Sequence, residues 1–299
     1  MGTMVGMGET AEGLLALAEQ GATLEEQRAA LAEALAGQGL KPEAVEATMA
    51  RVRDGIALRA AEGDGVRSRL GGPGLLPAGE DWPHDPDGVP LTLIAAIDLA
   101  EMPDMDPLPP DGTLLMYWDF KYFGLEPMDF VAATRVFHVP AGEELWEAAA
   151  PVHDDTDELG TRELEVLPVR GVVLPIPGEV DHVTAALPMP DADALIDALD
   201  DLNDQLHHGA QLLGASRDVQ GPVLDEVPYW FENGRPDTRD RYSEAERAGD
   251  GWILLAQVDE TDEIPSLMLG DAGSLYFIMP ESDLCARRFD RVMGIMQCA

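Results

Sequence analysis

Two stretches of this sequence nearly repeat each other: LTLIAAIDL, at residues 91–99, and WILLAQVDE, at residues 252–260. Each apolar run leads to an aspartate, Asp98 or Asp259, and fourteen residues later a glycine opens a second apolar run. Those second runs are GTLLMYW at 112–118 and GSLYFIM at 273–279. The equal spacing predicts a strand, a loop and a strand twice, hence two related halves whose sheet faces cover each other. Convergence of two ordinary strand-loop-strand units is the alternative.

From residue 67 onwards the chain is rich in Gly, Pro and short apolar runs, which favours strands and turns. We predict an α+β fold: a duplicated, mainly antiparallel β-sheet domain at 67–299, with its internal repeat at about 90–118 and 251–278. An amphipathic helix is predicted over 190–208, where four leucines recur on one stripe. Further strands are predicted at 133–139, 164–167 and 291–297.

Residues 1–66 are predicted to form a small N-terminal helical segment, with helices over 9–62. Thr23 followed by Glu26 fits a capping box, and Pro42 suits the first position of a later helix. In that later helix the stripe is expected to run from Val45 through Met49 and Val52 to Ile56. The segment is either a docking module or a bundle that packs on the main domain, and we favour the bundle because short helices gain most of their stability from burial.

The composition excludes some partners. The 299 residues carry 57 acidic and 19 basic side chains, a net charge of −38 at neutral pH. Binding of nucleic acid or anionic lipid needs clustered Lys and Arg, so neither partner is expected, whereas basic partners stay open. A solubility need, a salty habitat or a coding bias explains the acidity equally well.

Location and assembly are only partly constrained. Cys285 and Cys298 are the two cysteines of the chain, too few for a disulfide framework, which favours a reducing cytoplasm. No run approaches the roughly 20 apolar residues of a membrane helix, and the N-terminus does not resemble a secretory signal. We therefore expect a cytoplasmic protein, and the oligomeric state stays open.

No stretch carries a signature of metal, cofactor or nucleophilic chemistry. Zinc needs about four Cys or His ligands in reach of one another, which the spacing does not supply. A calcium loop centred on Gly88 would need Pro83 and Ile94 as ligands, so a polar hairpin turn is expected there. There is no GxSxG elbow, and neither cysteine has a catalytic context. We predict no metal, no cofactor and no catalytic residue.

Several motifs carry a family resemblance. They are SRLGGP from residue 68, EDWP from 80, PLTLIA from 90, WILLAQVD from 252, GDAG from 270, LYFI from 275 and FDRV from 289. Together, and in this order, they resemble the YwqG-like family, a bacterial group of unknown function, over residues 65–298. The resemblance implies an α+β fold and brings no assigned chemistry. Many relatives carry a cysteine pair after Trp-Pro, and HDPDG stands at 84–88 here, so that metal site is not expected.

Five residues are the candidates for a binding site. They are Trp82, Asp98, Gln257, Asp259 and Asp271. The two repeat aspartates stand at equivalent strand ends, where capping of loop N–H groups is the simpler interpretation. Trp82, held between glycines and prolines, either lines a pocket or covers a core.

Two classes of function follow from these observations. The favoured class is a non-catalytic interaction protein, with a protein partner. The other class is an enzyme or small-molecule-binding protein that uses a cleft between the two halves and the five candidate residues. The chain is not predicted to be an enzyme, although the sequence leaves that question open.

Overall fold

The computed structural model describes residues 13–14, 16–18, 20–60, 65–119, 129–149, 151, 163–173, 185, 187–206, 209–233, 251–260, 269 and 272–298. These residues form helices and antiparallel strands, with helices near the N-terminus. The predicted α+β class is confirmed.

The helices and strands have the following bounds. The helices are α1 (Leu24–Gly37), α2 (Pro42–Met49), α3 (Asp129–Ala132), α4 (Met189–Leu206), α5 (Val223–Asn233) and α6 (Glu281–Cys285). The strands are β1 (Arg53–Ala60), β2 (Arg69–Gly71), β3 (Gly74–Pro77), β4 (Thr92–Asp98), β5 (Thr113–Trp118), β6 (Thr134–Val139), β7 (Leu145–Ala148), β8 (Glu163–Val173), β9 (Ala210–Leu213), β10 (Trp252–Asp259), β11 (Ser274–Pro280) and β12 (Met293–Gln297). Short 3₁₀ helices cover Leu99–Glu101 and Phe289–Arg291.

Among the described residues, ten strands form one antiparallel sheet in the order β12-β11-β10-β9-β1-β8-β2-β4-β5-β6. A separate two-stranded sheet consists of β3 and β7. We call β2, β4, β5 and β6 the N-terminal half, and β9, β10, β11 and β12 the C-terminal half. The strands β1 and β8 pair with each other and join the two halves.

The central position of β1 corrects one prediction. The helix expected to run through Val52 and Ile56 ends at Met49, and residues 53–60 form a strand that pairs on both sides, with β8 and β9. Ile56 and Leu58 lie two residues apart and both point into the core, where they are 0% and 2% exposed. In so short a run, apolar positions fit a strand as well as a helix, so the sequence does not distinguish the two. Gly55 and the two ladders of hydrogen bonds favour the strand.

The hairpin β4–β5 and the hairpin β10–β11 have the same pairing register and a β-bulge at the same position. Asp98 pairs with Thr113 in one hairpin and Asp259 with Ser274 in the other. Each hairpin has a β-bulge, at Ile94 between paired residues 93 and 95, and at Leu255 between paired residues 254 and 256. A bulge inserts one residue and re-aims the side chains after it, so equal bulges give the two strands the same inward and outward pattern. The predicted repeat, at about 90–118 and 251–278, falls on these hairpins.

One core lies between the halves. Side chains from both halves, including Leu114 and Phe277, form a continuous apolar cluster on the inner face of the sheet. The sheet curls far enough for its edge strands to meet: the Gly294 amide donates to Thr134 Oγ1 at 2.8 Å, and Trp118 Nε1 donates to the Gly294 carbonyl at 3.3 Å. We call this contact between β6 and the β12 region the seam.

The outer faces of the two halves are covered by different elements. In the N-terminal half, Leu76 of β3 and Trp82 pack on Leu93 and Tyr117. In the C-terminal half, α5 covers that face through apolar residues such as Val227. The outer faces therefore differ although the hairpins match.

The N-terminal helices form a small bundle with α4. Leu31 and Leu35 of α1 share a buried cluster with Leu195 and Leu199 of α4, and α1 contacts β8. The predicted capping box is confirmed, since Thr23 Oγ1 accepts from the Glu26 amide at 3.2 Å and the Glu26 carboxylate accepts from the Thr23 amide at 2.8 Å. The predicted helix over 190–208 is confirmed as α4, and residues 207 and 208 lie outside the described residues.

Candidate functional site

The polar residues of β10 lie together on its outer face. Gln257 is 0% exposed and Asp259 is 6% exposed. Across the ladders Gln257 pairs with Gln211 of β9 and Tyr276 of β11, and Asp259 pairs with Ser274. Directly opposed residues on neighbouring strands have close Cβ atoms, so the register alone brings these side chains into contact.

Arg217 completes this group from the loop after β9. Its Nη2 lies 2.5 Å from Asp259 Oδ2, and its Nη1 donates to Gln211 Oε1. Asp259 also accepts hydrogen bonds from Gln257 Nε2, at 2.8 Å, and from Ser274 Oγ. We call Gln211, Arg217, Gln257, Asp259, Ser274 and Tyr276 the polar cluster.

The polar cluster holds the loop of residues 214–221 against the sheet. Gln257 Oε1 accepts from the Arg217 amide at 2.9 Å, while Gln257 Nε2 and the Tyr276 hydroxyl donate to the Arg217 carbonyl at 3.2 and 2.7 Å. Gln297 of β12 repeats the arrangement, because its Oε1 accepts from the amides of Val219 and Gln220 and its Nε2 donates to the Gly221 carbonyl. Glutamine suits this role because its amide both accepts and donates.

The residues of the polar cluster have a structural role. Burial raises the pKa of the Tyr276 hydroxyl, which stays protonated and can donate to the loop. Ser274 is 5% exposed and its hydroxyl donates to a carboxylate, so it does not present a nucleophile to solvent. The buried ion pair is surrounded by hydrogen bonds that compensate its desolvation. This arrangement fixes the loop of residues 214–221.

Asp98 stands at the equivalent strand end of the N-terminal half, in a different setting. Its Oδ1 accepts from the Ala100 amide at 2.9 Å, and its Oδ2 lies 3.0 Å from Arg67 Nη1. The Arg67 side chain is 63% exposed, so this pair contributes little. Asp98 therefore caps the following 3₁₀ helix, as the simpler interpretation of this residue expects.

Glu101 does more than Asp98 to hold this end of β4. Its carboxylate accepts from the amides of Arg67 and Ser68, both at 2.9 Å, and from Ser68 Oγ at 2.7 Å. Burial acts to raise the pKa of Glu101, but these hydrogen bonds outweigh it and hold the pKa below its usual value.

A glutamine at position 101 tests this arrangement by its pH dependence. Because the folded-state pKa of Glu101 is depressed, its stabilisation is present above its unfolded-state pKa and is lost as the pH falls through the folded-state value. We expect Glu101→Gln to lower the free energy of unfolding by about 1 kcal/mol at pH 7 and by less in acid. Urea unfolding at both pH values measures this, and an equal deficit throughout would contradict it.

Trp82 covers a core and lies in the other half from the polar cluster. Its ring packs edge-on against Tyr117, with centroids 5.7 Å apart and an interplanar angle of 81°, and its Nε1 donates to the Leu91 carbonyl at 2.9 Å. A Cβ on Gly74 would lie 2.2 Å from the ring, so only glycine lets β3 approach it. Burial raises the pKa of Tyr117 to about 12, although its bond with Leu75 opposes the shift.

The five candidate residues therefore do not form one site. The structure brings Gln257 and Asp259 together, places Trp82 and Asp98 in the other half, and leaves Asp271 outside the described residues. Sequence reasoning missed Gln211, Arg217, Ser274 and Tyr276 as their companions. One signal was available: Arg217 is the only Lys or Arg between Arg170 and Arg235.

The segment after β4 borders two cavities. We call residues 102–110 the strap. A cavity of about 600 Å³ lies between the strap and Asp54, and one of about 450 Å³ lies between the strap and α6. Four strap residues line both cavities: Asp106, Leu108, Pro109 and Pro110. We call the two together the acidic groove.

Within the part of the chain that the structure describes, no three or more His, Cys, Asp and Glu side chains are grouped to hold a metal ion. The described helices include none that is long and apolar enough to cross a membrane. Cys285 and Cys298 are both free thiols.

Comparison with known families gives one match. The family model of DUF1963, a domain of unknown function, matches residues 68–298. A comparison with curated proteins found no match. The matched range holds β2–β12, whereas β1 precedes it. The match spans most of the sequence, and the chain therefore belongs to the DUF1963 family.

Proposed function

We propose that this protein is a non-catalytic binding protein, which holds an extended, positively charged segment of a partner protein in the acidic groove. The groove itself carries the proposal: it is bordered by fixed apolar side chains and bears two exposed acids, Asp104 and Asp106, which form no ion pair within the described residues. The family match is neutral on this point, since the family has no assigned function.

The apolar side chains that border the groove are fixed. Met102, Met105 and Leu108 line it and are 8–9% exposed, so their side chains are held by the core. The strap also contains Pro103, Pro107, Pro109 and Pro110. Proline fixes φ, so the strap loses little conformational freedom when a partner binds.

The charge of the groove selects a cationic partner. Asp104 and Asp106 are exposed, and within the described residues neither has an ion-pair partner. Asp54 also lines the groove, but Arg28 lies 2.7 Å from it. Glu281 and Arg287 line the cavity beside α6 and carry opposite charges, so Asp104 and Asp106 are the acids that give the groove its sign. The net charge of −38 adds a long-range field of the same sign, which repels nucleic acid and accelerates the encounter with a basic segment.

The polar cluster supports binding over catalysis. Arg217 and Asp259 of the polar cluster are paired with each other, and its glutamines bind backbone groups. The charged and amide side chains of the polar cluster therefore stabilise the fold. An acid-base catalyst instead needs a group within reach of a substrate.

A labelled peptide of alternating arginine and leucine tests the proposal. We expect it to bind the wild-type protein by fluorescence anisotropy, and Asp104→Asn/Asp106→Asn to weaken binding about tenfold, as expected for two exposed ion pairs. The control variant Glu80→Gln/Asp87→Asn removes two exposed acids that do not line the groove, with the same change of net charge. Equal weakening by both variants would reduce the effect to net charge and contradict a site at the strap.

Two further proposals concern the origin and location of the chain. We propose that the halves arose by duplication of one unit and that the chain is YwqG-like; the matching registers, the matching bulges and the motifs quoted above support this. The free thiols Cys285 and Cys298 support a reducing cytoplasm as its location.

A further inference from the structure

A second, smaller cavity lies at the seam, apart from the strap. It has a volume of about 280 Å³ and is bordered by His84 and Leu91 of the N-terminal half, Arg135 and Val136 of β6, and Phe289 and Asp290 of the C-terminal half. We call it the seam pocket. At roughly 30 Å³ for each water, it has room for about nine waters, the scale of a small metabolite.

The seam pocket carries one cation and one anion that are not paired with each other. Arg135 and Asp290 are both exposed, and among the described residues no ion pair within 4.0 Å involves either one. The Arg135 guanidinium lies 4.8 Å from the centre of the Phe137 ring, so stacking holds it in place while its N–H donors stay available. Two opposite charges at one pocket are complementary to a ligand that carries both signs.

The apolar side chains beside these charges are rigid. Leu91 is 2%, Val136 5% and Phe289 6% exposed, so their positions are fixed by packing. The Phe289 ring also stacks on His138 across the seam, with centroids 5.6 Å apart. A ligand that enters therefore meets a preformed surface of mixed polar and apolar character, and its binding costs the protein little conformational freedom.

We infer that the seam pocket binds a small zwitterion with the charge pattern of an apolar α-amino acid. The guanidinium of Arg135 takes the carboxylate, for which its planar donors are suited, and Asp290 takes the ammonium group. The apolar side chain lies against Leu91, Val136 and Phe289. This inference is independent of the acidic groove, which involves other residues.

Calorimetric titration of the full chain with L-leucine tests the inference. We expect saturable binding, with at least tenfold weaker binding of 3-methylbutylamine, which lacks the carboxylate, and of 4-methylpentanoate, which lacks the ammonium group. Each analogue keeps the apolar part and leaves one protein charge without its partner. Equal binding of leucine and either analogue would overturn the role of the corresponding charge, and no binding of leucine would overturn the inference.

Variants locate the site. Arg135→Gln and Asp290→Asn are each expected to weaken leucine binding at least tenfold, and Arg135→Lys, which keeps the charge without the planar donors, to weaken it less. Both positions are exposed, so the variants should fold, which circular dichroism checks. Arg51→Gln/Glu33→Gln changes one exposed cation and one exposed anion that do not line the seam pocket and should bind as the wild type does. Full binding by the two pocket variants would overturn the assignment.

Discussion

Replacing Asp259 with asparagine is expected to lower the free energy of unfolding by about 3 kcal/mol, since it leaves the buried Arg217 guanidinium without its counter-charge. The side chains of both partners are mostly buried, at 16% and 9% exposed, so water replaces little of the lost interaction. The same change weakens the bonds that Gln257 and Ser274 donate to the carboxylate. Urea unfolding followed by tryptophan fluorescence measures the loss.

The other repeat aspartate provides the matched control. Asp98→Asn changes the equivalent residue of the N-terminal half, but the Arg67 of its ion pair is largely exposed and an asparagine oxygen can still cap Ala100. We expect a loss below about 1 kcal/mol. Similar losses at the two positions would contradict the assignment of the structural role to the polar cluster.

An alanine at position 294 is expected to destabilise the protein by about 3 kcal/mol, because the seam leaves no room for a methyl group. A Cβ on Gly294 would lie 2.5 Å from Thr134 Oγ1 and 2.6 Å from Trp118 Cδ1. The Trp118 ring is 1% exposed and cannot move aside without disturbing the inner core. The two edge strands must therefore separate or the core must repack.

Gly37 offers a control with the same chemical change. It is the last residue of α1, and a Cβ there would meet no atom within 4 Å, so Gly37→Ala should be neutral or stabilise by up to about 1 kcal/mol. Urea unfolding by circular dichroism and by tryptophan fluorescence compares the variants. A loss at Gly294 no larger than the change at Gly37 would show that the seam tolerates the methyl group.

The hairpins were accessible from sequence because their information is local. The apolar run quoted at 112–118 contains β5, Thr113–Trp118, and the run quoted at 252–260 contains β10, Trp252–Asp259. Apolar runs of strand length, flanked by glycine and aspartate, mark these segments without reference to the rest of the chain. The capping box at Thr23 was equally accessible.

The strand β1 was missed because its identity depends on distant residues. Its eight residues become a strand through pairing with β8 and β9, which lie more than a hundred residues further along the chain. The apolar positions of a short run fit the period of a strand and the period of a helix, and the run itself does not indicate which distant strands it pairs with.

Only part of the candidate site could be predicted from sequence, because its residues also depend on partners that lie far away along the chain. Asp259 could be chosen because it stands at the end of a repeated apolar run, at the position equivalent to Asp98, and Gln257 lies two residues before it. Arg217 could not be assigned to them, since the loop that carries it meets β10 only in the folded chain. Trp82 and Asp98 were conspicuous in sequence for reasons of packing and capping.

The meeting of β6 and β12 at the seam has a consequence for behaviour at high concentration. The outermost strands of an open sheet display unpaired backbone groups, which can template the stacking of further chains. Here the Gly294 amide of one outermost strand is bonded to Thr134 of the other, and Trp118 donates to the same residue's carbonyl. The two edge strands of the sheet thus bind each other, which disfavours aggregation through strand addition at this position.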